Sequence, residues 1–332
     1  MGSSSSSNTS TVLERVLALE IARVTERAAV AAAYLRGRGD EKAADQAAVD
    51  AMRREMNNLA ILGTVVIGEG ERDEAPMLFI GEKVGAGRGG PKVDIAVDPL
   101  EGTTLCAKNM PGAIATMAVA EGGTLLNAPD VYMEKIAVGP GYAPGVVDLD
   151  ATPEENIRAL AKAKGVKPAE ITALILDRPR HADLVAAVRK AGASVRFITD
   201  GDVAGVIHTA DPETTGIDIY MGVGGAPEGV LAAAALACIG GQIQGRLVLD
   251  TEEKRGRAAK MGIKDPAKKY RMEDMVRGDC VFAATGVTTG SLLEGVRFKP
   301  GTVETETVVM RAATGTVRWI RAEHRQLEKF LL

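Results

Sequence analysis

The chain is poor in aromatic residues and cysteine and has no long apolar run, and each shortage excludes a class of protein. Phe, Trp and Tyr make up 3% of the 332 residues, so smaller aliphatic side chains have to fill the core. The three cysteines, Cys106, Cys238 and Cys280, form no CxxC pair. Their spacing indicates free thiols in a reducing cytoplasm rather than a disulfide framework or a zinc site, with a regulatory disulfide as the open alternative. No apolar stretch reaches the roughly 18–20 residues of a membrane span, so no membrane partner is expected.

Basic residues are also fewer than acidic ones, with 40 Lys and Arg against 44 Asp and Glu. The formal net charge is −4, which leaves no basic footprint for a nucleic acid. An anionic ligand therefore has to be attracted by local Arg, Lys or metal charge. Hydrophobic residues make up 46% of the chain and charged residues 25%, a composition typical of a globular protein.

The chain is long enough for two domains or two halves that share a core. Residues 1–11 are a Ser, Asn and Thr run without an apolar segment, so we expect a disordered tail and no secretory signal. A glycine- and proline-rich break at 139–145 places the boundary between the halves near residue 150. We therefore predict an N-terminal α+β half at 12–150 and a C-terminal α/β half at 151–332.

The stretch 93–104 is the centre of the functional hypothesis. Residues 93–97 read as a buried strand that ends at Asp98, because Pro99 cannot donate a ladder hydrogen bond. Glu101, Gly102 and Thr103 follow at once. Two carboxylates and a hydroxyl at a strand end suit a hard divalent cation such as Mg²⁺. The alternative is an ordinary Asp-Pro turn with a solvated Glu.

Two more acidic segments precede this stretch. Glu69 follows a second apolar run at 64–67, and Asp45 lies near the beginning of a helix predicted at 45–59. Three acidic segments that met without a cation would repel one another, which favours a metal centre. The alternative for Asp45 is a solvated acid in the first helical turn, where the helix dipole favours a carboxylate.

The second half alternates strand and helix between residues 171 and 239, which predicts a βαβ sheet. Ligands of such sheets gather at the carboxyl ends of the strands. Polar clusters follow the strands there, and each has a structural alternative. Arg178 and Arg180 could grip a phosphate or be surface charges. Asp200 and Asp202 could bind sugar hydroxyls or form a turn and an N-cap. Glu228 could be a carboxylate at the start of a helix that interacts favourably with the helix dipole.

Seven segments together carry a family resemblance. They are 37–40 (Gly-Arg-Gly-Asp), 67–77 (Ile-Gly-Glu-Gly-Glu-Arg-Asp-Glu-Ala-Pro-Met), 98–103 (Asp-Pro-Leu-Glu-Gly-Thr), 127–130 (Asn-Ala-Pro-Asp), 178–181 (Arg-Pro-Arg-His), 200–202 (Asp-Gly-Asp) and 224–229 (Gly-Gly-Ala-Pro-Glu-Gly). The series resembles class II fructose-1,6-bisphosphatases, including forms that also hydrolyse sedoheptulose 1,7-bisphosphate, within the metal-dependent, lithium-sensitive phosphatase superfamily. Glu69-Gly70-Glu71 replaces the superfamily's Glu-Glu pair, and Glu101 replaces an Asp. Both departures are similar to the class II pattern.

The resemblance implies a layered αβαβα sugar-phosphatase fold with the active site in the cleft between the halves. It implies hydrolysis of the 1-phosphate of fructose 1,6-bisphosphate in gluconeogenesis or the Calvin cycle, in a cytoplasmic homo-oligomer (a dimer or tetramer). Two or more Mg²⁺ or Mn²⁺ ions would be held by Asp45, Glu69, Asp98, Glu101 and Glu228, with Thr103 as the catalytic residue. The implied substrate-binding residues are Glu101, Gly102, Thr103, Tyr132, Arg178, Pro179, Arg180, Asp200, Gly201, Asp202 and Gly225.

Two other functions remain open. An inositol monophosphatase-like enzyme, or another sugar or nucleotide phosphatase of the superfamily, could use the same metal site, although it would not need the arginine pair. A non-catalytic metal- or sugar-binding protein would not need Thr103 beside the carboxylates. A histidine-based mechanism is disfavoured, because none of the three histidines has a Ser or Cys nucleophile in a recognisable context.

Overall fold

The computed structural model describes residues 13, 17–70, 77–87 and 89–330. The predicted disordered tail at 1–11 and the acidic residues Glu71, Asp73 and Glu74 lie outside this range. The helices are α1 (Leu17–Ala33), α2 (Glu41–Met56), α3 (Thr103–Ala107), α4 (Pro153–Lys164), α5 (Ala182–Lys190), α6 (Asp202–Ile207), α7 (Pro212–Thr215), α8 (Ala226–Ile239), α9 (Glu252–Lys260) and α10 (Met272–Met275).

The strands form two sheets. They are β1 (Leu62–Ile67), β2 (Lys83–Val84), β3 (Lys92–Glu101), β4 (Ile114–Glu121), β5 (Tyr132–Val138), β6 (Thr172–Leu176), β7 (Ser194–Ile198), β8 (Ile219–Gly225), β9 (Gln242–Leu247), β10 (Lys269–Arg271), β11 (Cys280–Gly286), β12 (Arg297–Lys299), β13 (Thr302–Arg311) and β14 (Thr316–His324). The first sheet has the order β12-β13-β11-β4-β3-β1-β2, with β14 also paired to β13, and the second has the order β10-β9-β5-β8-β6-β7.

Helices and sheets stack in five layers. The α1–α2 pair covers one face of the first sheet, and α8 packs against strands of both sheets, together with α6. Helices α4 and α5 pack against the second sheet in a separate apolar cluster with residues of β5, β6 and β8. Because α8 is buried between two sheets, it is apolar on all sides, as in its run of four alanines at 232–235. This arrangement confirms the predicted layered α/β fold.

The two sheets are interleaved in the chain. Strands β1–β4 and β11–β14 build the first sheet, while β5–β10 build the second. The chain therefore passes from one sheet to the other and returns. The division near residue 150 stays a prediction about domain organisation.

The predicted end of the central strand at Asp98 is wrong. Strand β3 continues through Pro99 to Glu101. The pairing of β3 with β4 shifts between Asp98 and Glu101, so Pro99 and Leu100 fall outside the regular register. The missing N–H of Pro99 therefore removes no ladder bond, as at other strand irregularities.

Helix α2 begins four residues before its predicted start. Asp40 caps it, since its carboxylate accepts a hydrogen bond of 2.9 Å from the Ala43 N–H. Asp45 consequently lies in the second turn rather than the first. Among the described residues, no helix is long and apolar enough to cross a membrane. The three cysteines are free and buried.

Candidate active site

A cavity of about 660 Å³ opens between the two sheets and collects residues from both. Of the predicted site residues, only Pro179 is missing from its lining. The predicted residues that line it are Asp45, Glu69, Asp98, Glu101, Gly102, Thr103, Tyr132, Arg178, Arg180, Asp200, Gly201, Asp202, Gly225 and Glu228. Segments far apart in sequence thus meet at one place, which the sequence could predict only through the order of its motifs.

Five carboxylates gather at one end of this cavity from four structural elements. Asp45 projects from α2, Glu69 follows β1, and Glu228 lies in the first turn of α8. Asp98 and Glu101 both come from β3. The shift in register between these two residues lets the strand present both carboxylates to the cavity.

Burial and mutual repulsion disturb the ionisation of these acids. Burial, with repulsion from Asp45 and Glu228, raises the pKa of Glu69 to about 8. Burial, with repulsion from Asp202, raises the pKa of Glu228 to about 7. Burial also raises the pKa of Asp98, whose nearest repelling neighbour is Glu101. Lys135 lowers the pKa of Glu228 but does not offset the effects of burial and repulsion, so cationic groups of the protein compensate this cluster only in part.

The acid cluster fits divalent cations. The carboxylate atoms Oε2 of Glu101 and Oε2 of Glu228 are buried and make no hydrogen bond among the described residues. Unpaired buried carboxylate oxygens are costly unless a cation meets them. Oxygen ligands without sulfur suit Mg²⁺ and Mn²⁺. No three His, Cys, Asp or Glu side chains in the described part of the chain already form a closed metal cage, so these residues would have to draw together around an ion.

Gly102 and Thr103 lie beside the carboxylates. Gly102 adopts a left-handed conformation with φ 81°, which favours glycine, and precedes α3. A Cβ atom at this position would lie 2.9 Å from the Leu105 side chain. The turn therefore places Thr103 at the cavity wall immediately after Glu101.

Basic and aromatic groups line another part of the cavity. The Arg180 guanidinium lies 4.7 Å from the centroid of the Tyr132 ring and donates hydrogen bonds of 3.2 and 2.7 Å to the Val223 carbonyl oxygen. Arg178 makes a distant 4.0 Å ion pair with Asp200. Each guanidinium has five N–H groups, more than these contacts use, and both arginines line the cavity.

Asp202 and Gly225 mark the beginnings of the helices α6 and α8. The Asp202 side chain is buried, and Gly225 has no room for a side chain, because a Cβ atom would lie 1.8 Å from Oε2 of Glu228. Gly201, with φ 82°, turns the chain between Asp200 and Asp202. Burial raises the pKa of Asp200.

Sequence reasoning missed or misplaced several groups. The charged sequence around Lys254 is typical of a solvated helix face, but Lys254 of α9 lines the cavity and donates a 2.7 Å hydrogen bond to Asp250. Asp130 also lines the cavity. Lys135 lies behind it, buried and bonded to Asp202. An isolated lysine in an alternating strand gave no signal of that contact.

The three histidines have hydrogen-bond partners in the fold. Nδ1 of His181 lies 2.7 Å from the Leu176 carbonyl oxygen, and its Nε2 accepts a bond from the Val223 N–H. His208 contacts Ser291, and His324 contacts Thr305. Burial lowers the pKa of both His208 and His324 to about 4.

Comparison with known proteins agrees with this geometry. Residues 15–324 match the family model described as bacterial fructose-1,6-bisphosphatase, glpX-encoded. The chain is 44% identical to a D-fructose 1,6-bisphosphatase class 2/sedoheptulose 1,7-bisphosphatase from Synechococcus sp. (strain JA-3-3Ab), over 94% of this chain and 96% of the relative. It is 43% identical to the protein of the same name from Synechococcus elongatus (strain ATCC 33912 / PCC 7942 / FACHB-805), over 94% and 97% of the two chains. The resemblance inferred from the motifs is thereby confirmed, and the chain belongs to the family of bacterial, glpX-encoded fructose-1,6-bisphosphatases.

Proposed function

We propose that this protein hydrolyses the 1-phosphate of fructose 1,6-bisphosphate to fructose 6-phosphate and phosphate, using two or more Mg²⁺ or Mn²⁺ ions. One observation carries the proposal. A single cavity is lined by a group of mutually repelling carboxylates and by two arginines. Such a cavity suits a substrate with a reacting phosphate bound through metal ions and a second phosphate bound by guanidinium groups.

The carboxylates would hold the metal ions. Asp45, Glu69, Asp98, Glu101 and Glu228 supply hard oxygen ligands, and the carbonyl of Leu100, another lining residue, is a further candidate. When bound, divalent ions polarise a phosphoryl oxygen, lower the pKa of water and neutralise a leaving alkoxide. The protein's part is to hold these carboxylates close together in a buried wall, where their mutual repulsion favours the binding of a cation.

Thr103 would orient the attacking water. Thr103 follows the proposed ligand Glu101 by two residues, begins α3 and lines the same cavity. A hydroxyl can accept a hydrogen bond from water and donate one to a carboxylate. Phosphoryl transfer depends mainly on positioning and charge stabilisation, so no covalent enzyme intermediate is required.

The remaining wall would select a sugar bisphosphate. Arg178 and Arg180 would bind the distal phosphate, beside Tyr132, and the carboxylates of Asp200 and Asp202 would accept hydrogen bonds from sugar hydroxyls. A monophosphatase has no use for the arginines, which favours a bisphosphate over an inositol monophosphate. Sedoheptulose 1,7-bisphosphate, which appears in the names of both relatives, is the second proposed substrate. The homo-oligomeric state and the cytoplasmic location stay predictions.

A phosphate-release assay tests the proposal. Purified protein is treated with chelator, supplied with Mg²⁺ or Mn²⁺, and offered fructose 1,6-bisphosphate, sedoheptulose 1,7-bisphosphate, fructose 6-phosphate and inositol 1-phosphate separately. We expect metal-dependent release from the bisphosphates and little from either monophosphate. Preferred release from inositol 1-phosphate would establish the rival enzyme, and no release from any substrate would favour a binding protein.

A further inference from the structure

Lys135 is a fully buried lysine directly behind the active-site wall. It lies on β5, an inner strand paired with both β8 and β9, and it is 2% exposed. Its neighbours across the two ladders are Gly222 and Gly245. Gly229 leaves room for the lysine stem, since a Cβ atom there would lie 3.3 Å from Cδ of Lys135. A lysine is rarely buried unless an acid and further acceptors compensate its charge.

The ammonium group of Lys135 joins the beginnings of two helices. It makes an ion pair with the Asp202 carboxylate, at the first residue of α6. It also donates a 2.7 Å hydrogen bond to the carbonyl oxygen of Gly225, the residue immediately before α8. The Tyr220 hydroxyl donates a 3.2 Å bond to the same Asp202 oxygen. One cation thus holds two elements that both reach the cavity.

The surrounding backbone leaves space for this contact. A Cβ atom at Gly224 would lie 1.9 Å from Oδ2 of Asp202 and 3.0 Å from Nζ of Lys135. Any side chain at this position would therefore displace the ion pair. Glycine at 224 keeps the lysine, the aspartate and the start of α8 in contact.

We propose that Lys135 is a positioning residue for both substrate and metal binding. Through Asp202 it fixes a carboxylate on the sugar side of the cavity, and through Gly225 it fixes the start of α8, three residues before Glu228. The inference rests on the proposed function, because it takes Asp202, Gly225 and Glu228 as site residues. Lys135 itself touches neither substrate nor metal.

The test replaces Lys135 with Met, which keeps most of the unbranched side chain and removes the ammonium group. Mn²⁺ is titrated into the metal-free protein, and the unbound Mn²⁺ is measured from its electron paramagnetic resonance signal. Steady-state kinetics are measured with fructose 1,6-bisphosphate. We expect Mn²⁺ affinity to fall about 10- to 100-fold, as for other residues that orient metal ligands. We expect KM to rise at least about tenfold, while kcat at saturating metal and substrate changes less than about fivefold.

Lys164→Met is the matched control. Lys164 makes a 2.5 Å ion pair with Asp218, which is buried in the same half of the molecule but does not line the cavity. Its loss should lower stability and leave Mn²⁺ affinity and KM within about twofold of wild type, as expected for a site without shared partners. If Lys135→Met behaves like this control, Lys135 only balances a buried charge and the inference is overturned.

Removal of Lys135 leaves Asp202 buried and unpaired, so Lys135→Met can fail to fold. In that case Lys135→Met/Asp202→Asn is compared with Asp202→Asn alone. Mn²⁺ affinity at least about fivefold weaker in the double variant supports the link through Gly225, and equal affinities overturn it. An inactive wild-type protein would refute the proposed function. An active wild type with unchanged binding in the lysine variants would refute only this inference.

Discussion

Glu101 of β3 accepts a 2.6 Å hydrogen bond from the backbone N–H of Val203 in α6. This contact links a strand of the first sheet to a helix that packs against the second, directly at the cavity. The bond occupies Oε1 of the carboxylate, while Oε2 is buried without a partner. One carboxylate therefore combines a structural contact with a free oxygen for a cation.

Glu101→Gln should separate these two roles. The amide oxygen can still accept from Val203, so we expect the fold to persist. The lost charge should weaken Mn²⁺ binding at least about tenfold and reduce turnover at limiting metal. Mn²⁺ titration and thermal unfolding in chelator measure the two effects. Asp98→Asn should behave in the same way, and wild-type turnover of either variant at limiting Mg²⁺ would contradict the metal site.

The stability of the metal-free protein should fall as pH rises from about 4.5 to about 8, the interval between the ordinary glutamate pKa and the raised pKa values of Glu228 and Glu69. Burial raises the pKa of Glu228 to about 7 and that of Glu69 to about 8. These acids hold protons more tightly in the folded state than in the unfolded state. The stability that protonation contributes is complete below the ordinary glutamate pKa of about 4.5, and it is lost as pH rises through the two raised values.

Denaturant unfolding at several pH values, with and without Mg²⁺, measures this dependence. Below about pH 6.5 the buried histidines oppose this fall, because their pKa is about 6.5 unfolded and lower when folded, so the clearest window is about pH 6.5 to about pH 8. Mg²⁺ binds the ionised carboxylates, so the stabilisation it gives should increase across the same window. Glu69→Gln should show a weaker pH dependence in chelator. A metal-free stability that rises between about pH 6.5 and about pH 8 would contradict the acid cluster.

Thr103→Ala should lower kcat by roughly 10²- to 10⁴-fold with little change in KM, because the water-orienting bond would act in the transition state. Thr103→Ser retains the hydroxyl and should keep part of the rate. If Thr103 only stabilises the turn after Gly102, the alanine variant would lose stability while kcat stays within a few-fold. Steady-state kinetics beside thermal unfolding distinguish the two roles, and a rise in KM alone would refute a catalytic one.

Arg180→Ala should mainly raise KM for the bisphosphate, by about tenfold or more, because a charge-assisted contact with the distal phosphate is lost. Residual hydrolysis of a sugar monophosphate should change far less. Arg189→Ala is a suitable control, since this arginine stacks on Phe197 in the same half of the molecule and does not line the cavity. Equal effects on both substrates would place Arg180 outside the distal phosphate site.

The fold was predictable where local patterns and motif order agreed. The strand at 132–138 and the alternation of strand and helix after residue 171 follow from hydrophobic patterning and turn residues. The continuation of β3 through Pro99 was not predictable, because it depends on an irregular pairing with β4. The interleaving of the two sheets depends on long-range pairing that the local sequence does not encode.

The candidate site shows the same division. Oxygen-rich motifs at strand and helix ends indicated Asp98, Glu101 and Glu69 as one group, and the cavity brings them together. Lys135 and Lys254 were not predicted at the site, because the sequence does not distinguish a solvated lysine from one that contacts an acid far along the chain. Contacts such as Lys135 with Asp202 join residues 67 positions apart and follow only from the tertiary structure.

Phosphorus NMR of the reaction mixture tests directly whether the protein hydrolyses the 1-phosphate of fructose 1,6-bisphosphate. Fructose 1,6-bisphosphate and Mg²⁺ are mixed with wild-type protein, and the two ester phosphates and inorganic phosphate are followed over time. We expect the 1-phosphate signal to disappear while the 6-phosphate signal remains and an equal amount of inorganic phosphate forms. Chelator should stop the reaction. Loss of the 6-phosphate, or unchanged spectra with metal-saturated, folded protein, would contradict this expectation.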